Sequence, residues 1–88
     1  MISRGTTDFW RLYHNLPPRI RDAAQKAFKK FLENPAHPGL QLERLKFDHR
    51  VWSVRVTRNY RAVARRYDDE WLWVWVGSHE EFDRQFPK

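Results

Sequence analysis

Trp52-Ser53-Val54-Arg55-Val56-Thr57-Arg58-Asn59-Tyr60-Arg61-Ala62-Val63-Ala64-Arg65-Arg66 is the stretch that decides the fold. Apolar residues alternate with polar ones on either side of Arg58-Asn59, the pattern of two half-buried strands joined by a tight connection. Parity puts Ser53, Arg55 and Thr57 on one face of the first strand, with Trp52, Val54 and Val56 on the other. In the second strand Arg61, Val63 and Arg65 oppose Tyr60, Ala62 and Ala64. The face carrying Trp52, Val54 and Val56 is expected to be core, which leaves Arg55 on an open face. A rigid sheet presenting arginines suits a phosphodiester backbone, because each guanidinium can donate two parallel hydrogen bonds to phosphate oxygens. The plainer reading of Arg55 is a surface ion pair with Asp48 or Glu43, worth about 0–1 kcal/mol.

Outward from this stretch, the period changes. Toward the C-terminus Asp68-Asp69-Glu70 reads as a charged turn and Trp71–Gly77 as another strand, rich in β-formers. Trp71, Trp73 and Trp75 alternate with Leu72, Val74 and Val76, so the three tryptophans are expected on one face. They suit base stacking, a partner peptide, or simply the core. Toward the N-terminus Gln41–Lys46 is a short strand, preceded by a loop at Pro35-Ala36-His37-Pro38-Gly39. Upstream of that, Ile20, Ala24, Ala27, Phe28, Phe31 and Leu32 form a helical stripe, which starts near Pro18 and stops at Asn34-Pro35. Phe9, Trp10, Leu12, Tyr13 and Leu16 form a shorter one after the capping candidates Thr6, Thr7 and Asp8. The fold class is therefore α+β: an N-terminal helical hairpin packed on one face of a mainly antiparallel four-stranded sheet (ααββββ), with His79–Phe86 as a short tail. One core should hold Ile20, Phe28, Phe31, Val54, Val56 and Val74.

With 88 residues the chain has room for one domain, spanning 1–88, and a modest core that its five tryptophans help to fill. A net charge of +6 favours an acidic partner: nucleic acid, an anionic membrane or an acidic protein. The absence of cysteine excludes disulfides and thiolate metal sites and fits a reducing cytoplasm. No N-terminal segment reads as a signal peptide, and the longest apolar run, Trp71–Val76, is too short to span a bilayer.

His79 follows the last strand after Gly77-Ser78, where the backbone can turn its imidazole over the open face. A histidine there can trade a proton near neutral pH. His14, His37 and His49 show no metal-ligand spacing. Glu43 is the carboxylate nearest the start of the arginine-rich sheet.

Several segments together carry a family resemblance: Leu16-Pro17, Asn34-Pro35-Ala36-His37-Pro38-Gly39-Leu40, Glu43-Arg44-Leu45-Lys46, Trp52–Val56, Asn59–Val63 and Gly77-Ser78-His79-Glu80-Glu81-Phe82. In this order and spacing the chain resembles the RelE/ParE superfamily of bacterial toxins from type II toxin–antitoxin systems. Members of the RelE, YoeB and HigB branch are metal-independent ribonucleases that cut messenger RNA, mostly in the ribosomal A site. The resemblance implies that activity here, in the cytoplasm, with a cognate antitoxin, messenger RNA and the ribosome as partners. It implies no cofactor and no membrane partner. It puts the catalytic set at Glu43, Arg61 and His79, with Glu43 as base and His79 as acid or the reverse. Lys46, Arg55 and Arg65 would bind RNA phosphates, and Phe82 would stack on a base. Many active members carry a tyrosine beside the terminal histidine; here Glu80 stands there, and the first aromatic is Phe82. Two other functions share the fold: inhibition of DNA gyrase, as in the ParE branch, and non-catalytic binding of RNA or protein. A gyrase inhibitor has no need of an acid–base set.

Overall fold

The computed structural model describes residues 1–87. Its elements are β1 (Ile2–Gly5), α1 (Thr7–His14), α2 (Pro18–Glu33), β2 (Glu43–Arg44), β3 (Val51–Thr57), β4 (Tyr60–Tyr67), β5 (Glu70–Ser78) and α3 (His79–Gln85), with a 3-10 turn at Pro38–Leu40. The helices begin and end where their side chains dictate. The Thr6 hydroxyl accepts from the Phe9 amide at 3.0 Å and caps α1. Pro18 occupies the first turn of α2, where a missing N–H costs nothing, and Asn34 closes it in an extended conformation.

Five strands pair in the order β1-β5-β4-β3-β2. The β2–β3, β3–β4 and β4–β5 pairs are antiparallel, whereas β1 runs parallel to β5, with Ile2 opposite Glu70 and Gly5 opposite Trp73. The sheet is therefore five-stranded and mixed, not four-stranded and antiparallel. Ile2-Ser3-Arg4-Gly5 carries one β-former and no adjacent turn. Its pairing comes from the far end of the chain, so no local pattern announces it. Ser3 accepts a hydrogen bond from the Trp73 indole at 2.8 Å, and the Thr6 amide donates to the Trp73 carbonyl at 2.9 Å, so β1 is tied along its length.

Helices α1 and α2 cover one face of the sheet. Phe9, Tyr13, Ile20, Ala24 and Phe31 pack there against Val54, Ala62, Ala64, Trp71, Trp73 and Val76, with Phe28, Trp52 and Val56 at the margin. Val54 and Val56 thus lie under the helices, in the register that strand parity gave. Val74 does not join them. The β4–β5 register shifts between Val63 and Ala64, because Ala64 faces Trp73 while Val63 faces Trp75. Val74 is the extra residue of a β-bulge, which turns the strand over. The tryptophan stripe is broken as a result: Trp71 and Trp73 are in the helix-side core, and Trp75 belongs to a second cluster with Leu45, Val51, Val63 and Phe82. Val74 packs against that cluster too.

The second cluster lies on the face expected to be open. Helix α3 covers part of it, driving Phe82 and Phe86 onto Trp75, with ring centroids 6.3 Å and 5.3 Å away. The tail is therefore an ordered helix, capped by the Ser78 hydroxyl accepting from the Glu81 amide at 3.2 Å. Among the described residues no helix is long and apolar enough to cross a membrane.

Candidate functional site

The register sets the site. Glu43 faces Ser53, Ser53 faces Val63, and Val63 faces Trp75, which makes one row across the sheet. In the next row Arg55 faces Arg61, which faces Gly77. Directly paired residues point to the same side, so Glu43, Ser53, Arg55 and Arg61 share the face that α3 partly covers. His79 opens α3 at the end of this surface, where its amide donates to the Asn59 carbonyl at 2.7 Å.

Arg61 is buried, with 6% of its surface exposed. Its Nη2 donates to the Ser53 hydroxyl at 2.9 Å and to the Gln41 carbonyl at 3.2 Å. Gln41 presents that carbonyl from a left-handed conformation, φ 46°, just before β2. The Nε of Arg61 is buried without any hydrogen-bond partner among the described residues. No carboxylate of the described residues forms an ion pair with Arg61; the chain's pairs lie elsewhere, Asp48 bonding Arg50 and Glu70 bonding Arg4. Burial pushes the guanidinium below the ordinary arginine value, Glu43 raises it, Arg55 lowers it further and Asp83 raises it. An arginine stays charged through such shifts. A buried cation with an unsatisfied donor is costly unless an anion completes it.

Around this cation the other candidates divide. Arg55 is half-buried beside it and makes no ion pair among the described residues; Asp48 bonds Arg50 instead, so the plain reading that paired Arg55 with Asp48 or Glu43 does not hold. Glu43 is exposed on β2, on the far side of Ser53 from Arg61. The imidazole of His79 is half-exposed, and its Nδ1 hydrogen-bonds Asp83 Oδ2 at 3.1 Å, which leaves Nε2 without a hydrogen-bond partner among the described residues. Lys46 is exposed just beyond β2. Arg65 is exposed near the other end of β4, about 13 Å along the strand from Arg61. It lines a separate groove with Phe47, Val63, Leu72, Val74 and Phe86. The structure therefore sets Arg55 directly beside Arg61, and His79 against the Phe82 ring that also meets that guanidinium. It leaves Glu43 one strand away on β2 and puts Lys46 and Arg65 toward the other end of the sheet.

Phe82 is fully buried, so its ring has no face free for a base. It stands instead beneath the guanidinium of Arg61, 5.5 Å from its centroid, and beside His79 at 5.9 Å. Three contributors are not evident from the sequence alone: Ser53 as hydrogen-bond acceptor, the Gln41 carbonyl, and Asp83. Only Asp83 leaves a trace there, four residues after His79 and thus on the same helical face. Among the described residues no group of three or more histidines, aspartates and glutamates is arranged to hold a metal ion.

A helical hairpin on one face of a mixed sheet, with a short C-terminal helix on the other, is the arrangement this chain shares with toxin domains of the RelE/ParE class. The chain matches the family described as ParE-like toxin domain over residues 18–84, and it belongs to that family. Among solved structures it resembles the YoeB/ParE toxin from Agrobacterium tumefaciens, with TM-score 0.71 and 21% identity, covering 90% of this chain and 99% of that one. The RelB–RelE antitoxin–toxin complex from Methanococcus jannaschii matches with TM-score 0.71 and 19% identity, covering 94% and 98%. The toxin–antitoxin complex RelBE2 from Mycobacterium tuberculosis matches with TM-score 0.67 and 27% identity, covering 89% and 96%. A comparison with curated proteins gives no match.

Proposed function

We propose that this toxin is a metal-independent endoribonuclease of the cytoplasm that cuts messenger RNA on the ribosome and is held in check by an antitoxin protein. The observation that carries the reading is Arg61: a buried, charged side chain with an unpartnered Nε, on a rigid strand, flanked by Glu43, Arg55 and His79. A cation held this way already bears the cost of burial, and it gains most when an anion develops beside it.

The chemistry follows from the residue types. One of Glu43 and His79 removes the proton of a ribose 2′-hydroxyl, whose oxygen attacks the adjacent phosphorus. The bond from phosphorus to the 5′-oxygen breaks, and the other residue delivers a proton to that leaving oxygen. The products are a 2′,3′-cyclic phosphate and a 5′-hydroxyl. Glu43 as base and His79 as acid is the assignment we adopt, since the carboxylate is exposed on the strand edge and the imidazole already has Asp83 behind it. Arg61, with its cross-strand partner Arg55, supplies the positive charge that a metal ion supplies in other phosphoryl-transfer sites. Lys46, toward the Arg65 end of the sheet, would meet a phosphate farther along the strand. Arg65 would contact a more distant part of the RNA.

The solved neighbours from Methanococcus jannaschii and Mycobacterium tuberculosis are toxin–antitoxin complexes, which supports an antitoxin partner here. From Arg44 to Arg66 eight basic residues face one acid, Asp48, so an acidic, amphipathic antitoxin segment would associate fast and with strong salt dependence. The test is expression of the protein alone and with its neighbouring gene, while RNA 5′ ends are mapped. New 5′-hydroxyl ends that vanish in Arg61→Ala are expected. Growth arrest without new ends, together with loss of gyrase supercoiling, would replace this reading by gyrase inhibition.

A further inference from the structure

A cleft of about 150 Å³ opens between the second half of α2 and the edge of the sheet, lined by Lys26, Lys30, Gly39, Leu40, Arg55 and Val56. It is smaller than the roughly 300–1,000 Å³ of sites that take drug-sized ligands. Three of its residues are cations and none is an acid. Lys26 and Lys30 stand one helical turn apart, an arrangement in which like charges oppose each other. Asp22 and Glu33 are on the same helix, yet neither forms an ion pair with these lysines. Among the described residues Arg55 forms no ion pair either.

The walls are held in place. Leu40 is buried, and the His37 Nδ1 accepts from the Gly39 amide at 3.0 Å, pinning the loop. Lys30 Nζ would stand 4.0 Å from a Cβ at Gly39, so the ammonium lies against bare backbone. The β3–β4 register shifts between Arg55 and Thr57, which inserts Val56 as a second bulge. A bulge bends its strand and re-aims side chains, and here both Arg55 and Val56 border the cleft. Arg55 is also the direct partner of Arg61 across the sheet, so the cleft and the buried arginine are joined through one residue.

We infer that Lys26, Lys30 and Arg55 form a binding site for a backbone phosphate of the RNA strand, adjacent to the one at Arg61. The strand would leave the catalytic face over the sheet edge at Arg55 and continue along α2. The choice of RNA as ligand rests on the ribonuclease reading; the site itself rests on the cleft and its unpaired cations. Its contribution is electrostatic and indifferent to base sequence.

The test is the salt dependence of binding of a short single-stranded RNA with 2′-O-methyl groups, which cannot be cut by 2′-oxygen attack. The slope of log affinity against log salt should become shallower by about 0.7 in a Lys26→Gln/Lys30→Gln variant, the share of one phosphate contact on a single strand. An Arg11→Gln/Lys29→Gln variant, which removes the same charge away from the cleft, should keep the wild-type slope. Equal slopes in the two variants, or no binding of the probe by the wild type, would overturn the site. Cleavage of messenger RNA on translating ribosomes is followed separately, as new 5′-hydroxyl ends. A slope difference without cleavage keeps the cleft and removes the ribonuclease reading; cleavage without a slope difference removes the cleft alone.

Discussion

The guanidinium of Arg61 lies over the ring of Phe82, its central carbon 5.5 Å from the ring centroid, while Phe82 itself is wholly buried. The cation proposed to meet the phosphate is thus supported by the core of the second sheet face. Trp75 and Phe86 hold that ring from the other sides. Helix α3 therefore does two jobs with adjacent residues: Phe82 fixes the arginine, and His79 with Asp83 presents an imidazole at its edge.

Phe82→Ala should lower the unfolding free energy by about 3–5 kcal/mol, the usual cost of removing a buried phenyl ring. Denaturant titration followed by tryptophan fluorescence measures it. A loss below about 1 kcal/mol would mean that α3 is not docked on the sheet as described.

Gly77→Ala is a smaller change with a definite expectation. A Cβ at Gly77 would stand 2.7 Å from the six-membered ring of the Trp75 indole, a buried group with little room to move. Overpacking of this kind costs about 1–3 kcal/mol. The same titration applies, and a variant as stable as the wild type would show that the indole does not lie across Gly77.

How far the sequence revealed all this can be traced residue by residue. The limits of β3 and β4 follow from alternation around Arg58-Asn59, and α1 and α2 from their stripes and from proline, because those signals are local. The pairing of Ile2–Gly5 with β5 is non-local and left none. The bulge at Val74 inverted the faces of Trp75 and Val76 through a single unpaired residue, which period-two reading cannot detect. At the site, the grouping of Arg55 with Arg61 was readable from parity. The burial of Phe82 was not, because it depends on where α3 turns back.

Acid stability offers a check on the β2–β3 connection. The Arg50 amide donates to the Asp48 carboxylate at 2.9 Å, and this bond holds the carboxyl below its ordinary value. A depressed folded pKa stabilises the protein above the unfolded value, and the gain is lost as pH falls through the folded one. Asp48→Asn keeps an acceptor for the amide but drops the proton linkage. Melting midpoints should therefore decline less steeply with acid in the variant than in the wild type. Parallel declines would remove Asp48 from the acid response.

Arg61→Met separates function from stability most sharply. Methionine is unbranched and adaptable, so it can follow much of the path of the arginine stem over Phe82 while discarding the charge. The folded protein then no longer buries a cation whose Nε is unpartnered. The Ser53 hydroxyl and Gln41 carbonyl lose a donor, which offsets part of the gain. Replacing buried charge by apolar side chains of similar volume is often neutral or stabilising by about 1–4 kcal/mol. Stability should accordingly stay level or rise. Cleavage should fall about 100- to 1,000-fold, the usual loss when a preorganised group that acts on the transition state is removed. An arginine kept only for the fold would give the opposite result, with unfolding at lower denaturant and unchanged cleavage by the molecules that remain folded. Measuring both quantities on one preparation decides between the two.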